Sequence, residues 1–205
     1  MGDIKSRCCR PDELDLPLGR RALEQMIRHV WNKRGSTPTL YLRGELPVPT
    51  GIAIVGTRRA TPEALRFTRD LTEDLAAAGF SIWSGAALGV DGAAHEAAMA
   101  AGTPTVVVAP TGLDRPYPAE HADLYRRTVR EGGTLLSLWP DHATARPQRF
   151  LQRNRLLAAL TAATVVIQAP LRSGARSTAA SARALGRPLC VVPHAPWCRR
   201  GRGCI

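Results

Sequence analysis

The chain has 205 residues, which is enough for one good-sized domain with a short appendage but short for two independent domains. Its 44% hydrophobic and 22% charged residues are typical of a globular protein and exclude disordered, collagen-like and disulfide-scaffold classes. The 28 Lys and Arg against 17 Asp and Glu give a formal charge of +11, which indicates a polyanionic partner such as nucleic acid.

The positive charge is concentrated in the last part of the chain. Residues 111–205 hold 15 basic and 5 acidic side chains, whereas residues 51–110 hold 4 and 6. Asp141 is the last acidic residue, and eleven arginines follow it, from Arg146 to Arg202. A general preference for arginine over lysine does not explain the missing carboxylates. The pattern therefore favours an anion-binding surface in this region over compositional drift.

The cysteines and the N-terminal segment predict a cytoplasmic protein with free thiols. The cysteine count is odd, and the spacings match no disulfide framework. The first residues are polar, and no apolar run is long enough to cross a bilayer. A zinc site is the alternative for the cysteines near the two ends, Cys8, Cys9, Cys198 and Cys204, but their spacing fits no usual pair of ligand knuckles. We therefore expect no metal, no cofactor and no membrane association.

Short apolar runs alternate with segments of helical period between residues 45 and 195. This pattern predicts an α/β fold with a doubly wound, mostly parallel sheet of the extended Rossmann-like type. The predicted strands cover residues 52–55, 80–83, 105–109, 135–138, 165–168 and 189–192. The predicted helices run from the Thr61 cap to Gly79, over residues 92–101 and 121–130, from about Phe150, and over residues 177–185. In the first helix, Leu65, Leu71, Leu75 and Ala78 are expected to face the core.

The chain divides into three parts on this basis. Residues 1–44 are predicted to form an N-terminal arm with one helix, in the segment from Leu14 to Trp31. Residues 45–195 form the predicted Rossmann-like domain. Residues 196–205 are predicted to be an irregular tail rich in Arg and Cys.

Three strand-to-helix loops are expected to bind phosphate groups. Ligands of parallel sheets bind at the carboxyl ends of the strands, where helix N-termini present unpaired backbone N–H groups. One such loop alone is more often a tight turn with a satisfied cap, but three at one sheet edge favour an anion groove. The candidate residues are Gly56, Thr57, Arg58 and Arg59 in the first loop, Ser84, Gly85 and Gly89 in the second, and Ser173, Gly174 and Arg176 in the third.

A fourth stretch contains Phe150, Arg153, Asn154 and Arg155 near the start of a predicted helix. The two arginines cannot share a helix face, so one is free to meet a ligand while the other, with Asn154, can brace neighbouring loops. Phe150 can stack on an unpaired base, as in single-strand binders, or can be a core residue that begins the helix. No G-x-G-x-x-G follows the first strand and no G-x-x-x-x-G-K-[ST] occurs, which argues against an NAD-type site and P-loop ATP hydrolysis.

These stretches, in this order, resemble the DNA-processing protein A family, also called DprA or Smf. No single piece is specific, but their succession is. The resemblance implies that single-stranded DNA binds in a basic groove at the strand ends. It also implies a homodimer formed through the sheet region and loading of a RecA-type recombinase in natural transformation. The matching segments are Ile54–Arg58, Ser84–Asp91, Gly112–Asp114, Tyr117–Pro118, Phe150 with Arg153–Arg155, Ser173–Gly174 and Gly186–Pro188.

The resemblance also implies roles for individual residues. Arg58, Arg153 and Arg155 would contact phosphates, and Asp91 would brace its loop. Backbone donors would come from Ser84, Gly85, Ser173 and Gly174. It implies no catalytic residue, and His95 is expected to pack or to form a hydrogen bond.

Three positions depart from the family pattern. Leu138 and Gln168 stand where the family has Glu, and His194 replaces a Gly. Because the lost charges are acidic, the departures leave DNA binding in place, and they fit a divergent paralogue.

Two other functions on the same fold are alternatives: a sensor of free nucleotides and a nucleotide phosphoribohydrolase of the lonely-guy type. The loop Pro-Gly-Gly-x-Gly-Thr-x-x-Glu of the latter corresponds here to residues 172–181, which contain no carboxylate. Glycosidic cleavage by acid–base chemistry requires a carboxyl group, and Asp91 is the one candidate left. A binding protein without catalysis is therefore favoured.

Overall fold

The computed structural model describes residues 6–10, 38–48, 50–195 and 197–204. Within these ranges the strands are β1 (Arg7–Cys9), β2 (Leu40–Arg43), β3 (Gly51–Val55), β4 (Ser81–Ser84), β5 (Thr105–Ala109), β6 (Thr134–Ser137), β7 (Ala163–Val166) and β8 (Leu189–Val191). The helices are α1 (Pro62–Ala77), α2 (Val90–Ala100), α3 (Ala122–Arg130), α4 (Pro147–Leu160) and α5 (Gly174–Ala184). Two 3₁₀ turns cover Ala119–His121 and Arg202–Cys204.

All eight strands form one sheet in the order β1-β2-β6-β5-β4-β3-β7-β8. Six strands, β6-β5-β4-β3-β7-β8, run parallel to their neighbours. At one edge, β2 pairs antiparallel with β6, and β1 pairs antiparallel with β2. The predicted α/β fold with a mostly parallel sheet is confirmed. The sequence did not predict β1 and β2. β1 is only three residues long and largely exposed, without an apolar alternation, and β2 is only four residues long.

Some boundaries differ from the prediction. β7 begins and ends two residues earlier than predicted. The Ile167 N–H still donates to the Val55 carbonyl at 3.0 Å, and the Gln168 carbonyl already accepts from the Thr57 N–H of the β3 loop. α4 begins at Pro147 and α5 at Gly174, each about one turn before the expected start. The helix predicted between Leu14 and Trp31 lies outside the described residues.

Apolar side chains fill both faces of the sheet. On one face the core includes Leu156 and Leu157 of α4, packed with residues of the central strands. On the other face Ile54 and Ile82 pack beneath α1 and α2, together with Val90. No helix in the described part of the chain is long and apolar enough to cross a membrane.

The buried stripe of α1 differs from the expected one. Ala64, Thr68 and Thr72 are buried, whereas the three predicted leucines are half-buried and Ala78 is exposed. Their spacing of four residues puts three small side chains on one face, which allows close approach to the alanine-rich α2. The Thr68 hydroxyl donates to the Ala64 carbonyl at 2.7 Å, which satisfies it inside the core.

The direction of chain connection reverses at β3. From β3 the chain continues through β4, β5 and β6 on one side, and β7 and β8 lie on the other. In open parallel sheets, ligands bind in the crevice outside the carboxyl ends of the strands at such a reversal. The loops after β3, β4 and β7 all emerge there.

Candidate nucleic-acid interface

A cleft of about 400 Å³ opens at the carboxyl ends of β3 and β7. Its walls are the loop after β3, one face of α4, and the loop that joins β7 to α5. Nine of the residues predicted to bind DNA or phosphate line it: Gly56, Thr57, Arg58, Arg59, Phe150, Arg153, Asn154, Ser173 and Gly174.

In the loop after β4, Ala87 lines the cleft, whereas Gly85, Gly89 and the strand-end residue Ser84 lie behind it. The Ser84 hydroxyl is fully buried and donates to the Ile54 carbonyl at 2.5 Å. Gly89 has φ +80°, and a Cβ there would lie 2.4 Å from the Thr57 carbonyl oxygen, so glycine is needed for the two loops to pack. Ser84, Gly85 and Gly89 therefore support the β3 loop, and the ligand contacts expected of them stay a prediction.

Asp91, at the start of α2, connects these loops. Its carboxylate is 5% exposed and accepts hydrogen bonds from the backbone N–H groups of Gly56 (3.3 Å), Gly85 (3.2 Å) and Ala87 (3.4 Å). Burial raises the pKa of Asp91, while the Arg153 charge and the three N–H groups act in the opposite direction. The N–H groups of Gly56 and Gly85 are thus hydrogen-bonded inside the protein and are not available to a ligand.

Arg153 forms the floor of the cleft. It is 6% exposed, and its Nη1 donates to the Val108 carbonyl at 3.1 Å. Its Nε has no hydrogen-bond partner among the described residues. Burial lowers the pKa of Arg153, and the Asp91 charge opposes that shift. A Cβ on Gly85 would lie 1.5 Å from Nη1, so the guanidinium fills the space that the glycine leaves.

The loop after β3 is shaped by Gln168. The Thr57 N–H donates to the Gln168 carbonyl at 2.7 Å, and the Thr61 N–H donates to the Gln168 side-chain oxygen at 3.0 Å. The residue that departs from the family pattern at this position therefore still accepts a hydrogen bond. The loop leaves Arg58 and Arg59 exposed.

Arg58 lies at the mouth of the cleft beside two aromatic rings. Its guanidinium carbon is 5.9 Å from the ring centre of Phe150 and 5.9 Å from that of Tyr117. The two rings meet edge to face, with centres 5.0 Å apart. The sequence named Phe150 as a site residue, whereas Tyr117 entered only through the Tyr117–Pro118 segment that matches the family pattern.

The N-terminus of α5 faces the same cleft. Ser173 is the N-cap residue, and its buried hydroxyl has no hydrogen-bond partner in the described structure. Asn154 donates to the Gly174 carbonyl at 3.2 Å, which ties α5 to α4. Free N–H groups and the helix dipole favour an anion at this position. Arg172, which sequence reasoning missed, also lines the cleft beside them.

Two predicted arginines lie outside the cleft lining. Arg155 is half-buried on α4, two residues from Arg153 and therefore on another face of the helix. Arg176 is exposed, and its Nη1 donates to the Leu171 carbonyl at 2.6 Å. Neither arginine lines the cleft, and the phosphate contact that the resemblance implies for Arg155 stays a prediction.

His95 is a buried core residue. It is fully enclosed, and its Nδ1 lies 2.7 Å from the Thr105 hydroxyl. Burial lowers the pKa of His95 to about 3, and His121 and Arg153 add to the effect. The ring is therefore neutral near pH 7 and does not line the cleft.

The cysteines lie on opposite sides of the sheet. Cys8 and Cys9 belong to β1 and Cys190 to β8, which are the two edge strands, about 34 Å apart at the usual strand spacing. Cys198 and Cys204 follow β8. Within the described ranges, no cluster of three or more metal-ligating side chains occurs. The zinc alternative for the terminal cysteines is not assembled in this fold.

Residues 24–205 match the family of DNA recombination-mediator protein A. The chain belongs to this family. A curated DprA-family relative, a putative DNA processing protein DprA from Mycobacterium tuberculosis, is 44% identical over 156 residues, which are 76% of this chain and 40% of the relative. Protein Smf from Synechocystis is 34% identical over 202 residues, or 95% of this chain and 48% of that protein. The chain spans less than half the length of these two relatives.

Two solved DprA structures share the fold. DprA from Streptococcus pneumoniae superposes with a TM-score of 0.77 at 25% identity, covering 91% of this chain and 71% of that one. DNA processing protein A from Helicobacter pylori, studied for its single-stranded DNA binding mode, superposes with a TM-score of 0.75 at 31% identity. The match covers 95% of this chain and 87% of that one. The predicted membership in the DprA family is confirmed.

The ion pairs of this DprA-family chain lie away from the cleft. Arg43 pairs with Asp141 at 3.2 Å and also with Asp114, and Arg127 pairs with Glu96 at 2.8 Å. Within the described ranges, none of the ion pairs involves an arginine beyond Asp141. The exposed arginines of the cleft, Arg58, Arg59 and Arg172, therefore have no ion-pair partner in the described part of the chain.

Proposed function

We propose that this chain binds single-stranded DNA in the cleft between the β3 loop and α5. The observation that carries the proposal is the meeting of exposed guanidinium groups and partly exposed aromatic rings on one cleft. Arg58 and Arg59 stand on one wall and Arg172 on the other. Proteins that bind single strands without sequence preference combine a positive groove for phosphates with rings on which bases stack.

The two ends of the cleft suit different parts of a nucleotide. The N-terminus of α5, with the Ser173 hydroxyl and Arg172, presents donors suited to a phosphate. Phe150 and Tyr117 at the mouth present ring surface for an unpaired base. The family and the Helicobacter pylori relative, with its single-stranded DNA binding mode, support the same ligand.

The cleft is proposed to bind without catalysis. Asp91 is the one carboxylate among the described residues that line it. Its oxygens already accept three backbone hydrogen bonds, and it is 5% exposed. A general acid or base must reach the proton that it transfers, and this group is turned into the protein.

The wider role is proposed from the family. A recombination mediator that holds single strands is suited to deliver them to a RecA-type recombinase, as in DNA uptake during natural transformation. We propose this role in the cytoplasm, with the chain acting as a homodimer formed through the sheet region.

The test is fluorescence anisotropy of labelled oligo-dT, measured from low to physiological salt. Mononucleotides, duplex DNA and release of free base from nucleotides are tested on the same sample. We expect oligo-dT to bind most tightly, with log affinity falling by about 0.7 per phosphate contact for each tenfold rise in salt. Binding that is absent or insensitive to salt would refute the proposal, and so would base release that Asp91→Asn abolishes.

A further inference from the structure

The segment after β8 emerges at the same sheet edge as the cleft. β8 runs parallel to β7, and its carboxyl end is therefore beside the loop that joins β7 to α5. After β8, the chain turns back toward that loop, and His194 Nε2 lies 2.8 Å from the Ile167 carbonyl oxygen at the end of β7. The residues that follow, 197–204, are called the tail turn below.

The tail turn is fixed to the cleft loop at its far end. The Gly203 N–H donates to the Ala169 carbonyl at 2.7 Å. Cys204 is 7% exposed and belongs to the same apolar core as Leu157 and Ala175, which both line the cleft. The tail turn is therefore a packed element beside the cleft.

The alternation Gly201-Arg202-Gly203 explains how an arginine is displayed there. A Cβ on Gly201 would come within 2.3 Å of the His194 side chain, and one on Gly203 within 2.6 Å of the Pro170 carbonyl oxygen. Both positions thus require glycine for close backbone approach. Arg202 between them is exposed. Pro170 lines the cleft, and Gly203 packs against it. The Cα atom of Arg202 is about 4 Å from that of Gly203, so the arginine is attached next to the wall of the cleft.

The tail turn carries both kinds of group that single strands require. Arg199 and Arg200 are exposed, as is Arg202, and none of the three forms an ion pair within the described structure. Trp197 is 81% exposed, although tryptophan usually buries most of its surface. An exposed aromatic ring beside guanidinium groups is the same combination that Arg58, Phe150 and Tyr117 form at the mouth of the cleft.

We propose that the tail turn is a second contact surface for single-stranded DNA, on which a strand leaving the cleft past Arg172 continues. The arginines of the tail turn bind phosphates, and Trp197 stacks on a base. The inference rests on the proposed function of the cleft and adds an extension that only a strand longer than the cleft can reach.

The experiment compares two lengths of oligo-dT, about 6 and about 20 nucleotides, within the range of sites in single-strand binders. The tail variant is R199A/R200A/R202A. The control, R69A/R126A/R130A, removes the same charge from exposed helix positions. For the long oligonucleotide, the tail variant should bind at least about tenfold more weakly, with a salt slope smaller by about 2, as expected for three lost phosphate contacts. Its affinity for the short oligonucleotide should match that of the control.

Tryptophan fluorescence gives an independent readout. The difference between the native chain and W197F isolates Trp197, because the other three tryptophans, Trp31, Trp83 and Trp139, are unchanged in the variant. The long oligonucleotide should quench this difference signal, and the short one should leave it. Two results would overturn the inference: equal affinities of the tail and control variants for the long oligonucleotide, or an unquenched Trp197. If R58A still weakens binding in that case, the proposed function of the cleft stands. Failure of the native chain to bind either length would overturn the proposed function as well.

Discussion

Replacing Gly85 by alanine tests the packing that forms the floor of the cleft. The added Cβ would lie 1.5 Å from Arg153 Nη1 and 2.3 Å from Cζ, so the guanidinium must move. Moving it breaks the 3.1 Å hydrogen bond to the Val108 carbonyl. A lost hydrogen bond to a charged group costs about 1.5–3 kcal/mol, and overpacking adds about 1–3 kcal/mol. We expect G85A to lower the free energy of unfolding by about 2.5–6 kcal/mol.

Urea unfolding measures this loss, with G174A as the matched control. Gly174 also lines the cleft, but a Cβ there would meet only the Asn154 side-chain nitrogen, at 3.9 Å. G174A should therefore be neutral or slightly stabilising, since alanine favours the helix. In an R153A background, G85A should cost less than about 1 kcal/mol, because the clash is gone. The same large cost in both backgrounds would show that the reasoning is wrong.

Three further predictions concern the cleft and its surroundings. R58A should weaken oligo-dT binding and reduce the salt slope by about 0.7, whereas R130A should change neither; an unchanged slope for R58A would remove Arg58 from the site. F150A should lose about 1–3 kcal/mol of binding free energy in the same titrations, and F67A, which removes a 44% exposed ring elsewhere, should lose none. The pKa of His95 is about 3 in the folded chain and about 6.5 in the unfolded chain. As the pH falls below about 6.5, the unfolded chain therefore binds a proton that the folded chain does not, and stability falls. Plotted against pH from 7 to 4, the free energy of unfolding measured in urea should fall more steeply in the native chain than in H95Q, by up to about 1.4 kcal/mol per pH unit.

The sequence was most informative where local pattern decides the structure. Thr105–Ala109 is a strand with the predicted bounds, since a run of β-branched residues between turn signals has few alternatives. Thr61 caps α1 through a hydrogen bond from the Ala64 N–H, with Pro62 in the first turn, as these residue types favour. The loops at the sheet edge follow from strand polarity, and most of their predicted residues do line one cleft.

The sequence was least informative where the structure depends on distant contacts. Arg153 and Arg155 are equivalent in a sequence pattern, and only the space above Gly85 buries one of them. Gly56 and Gly85 resemble ligand-binding glycines, but a carboxylate from α2 accepts their N–H groups. Tyr117 joins the site because it meets Phe150, 33 residues further along the chain, a pairing that no local periodicity encodes.

The three hydrogen bonds to Asp91 have a kinetic consequence. They hold the β3 and β4 loops in place without any ligand, so the cleft has its shape before a strand arrives. Little conformational freedom is then lost on binding, which preserves affinity. Association should be limited by diffusion and electrostatic attraction instead of by loop closure, and variants of the cleft should differ mainly in how fast the strand departs.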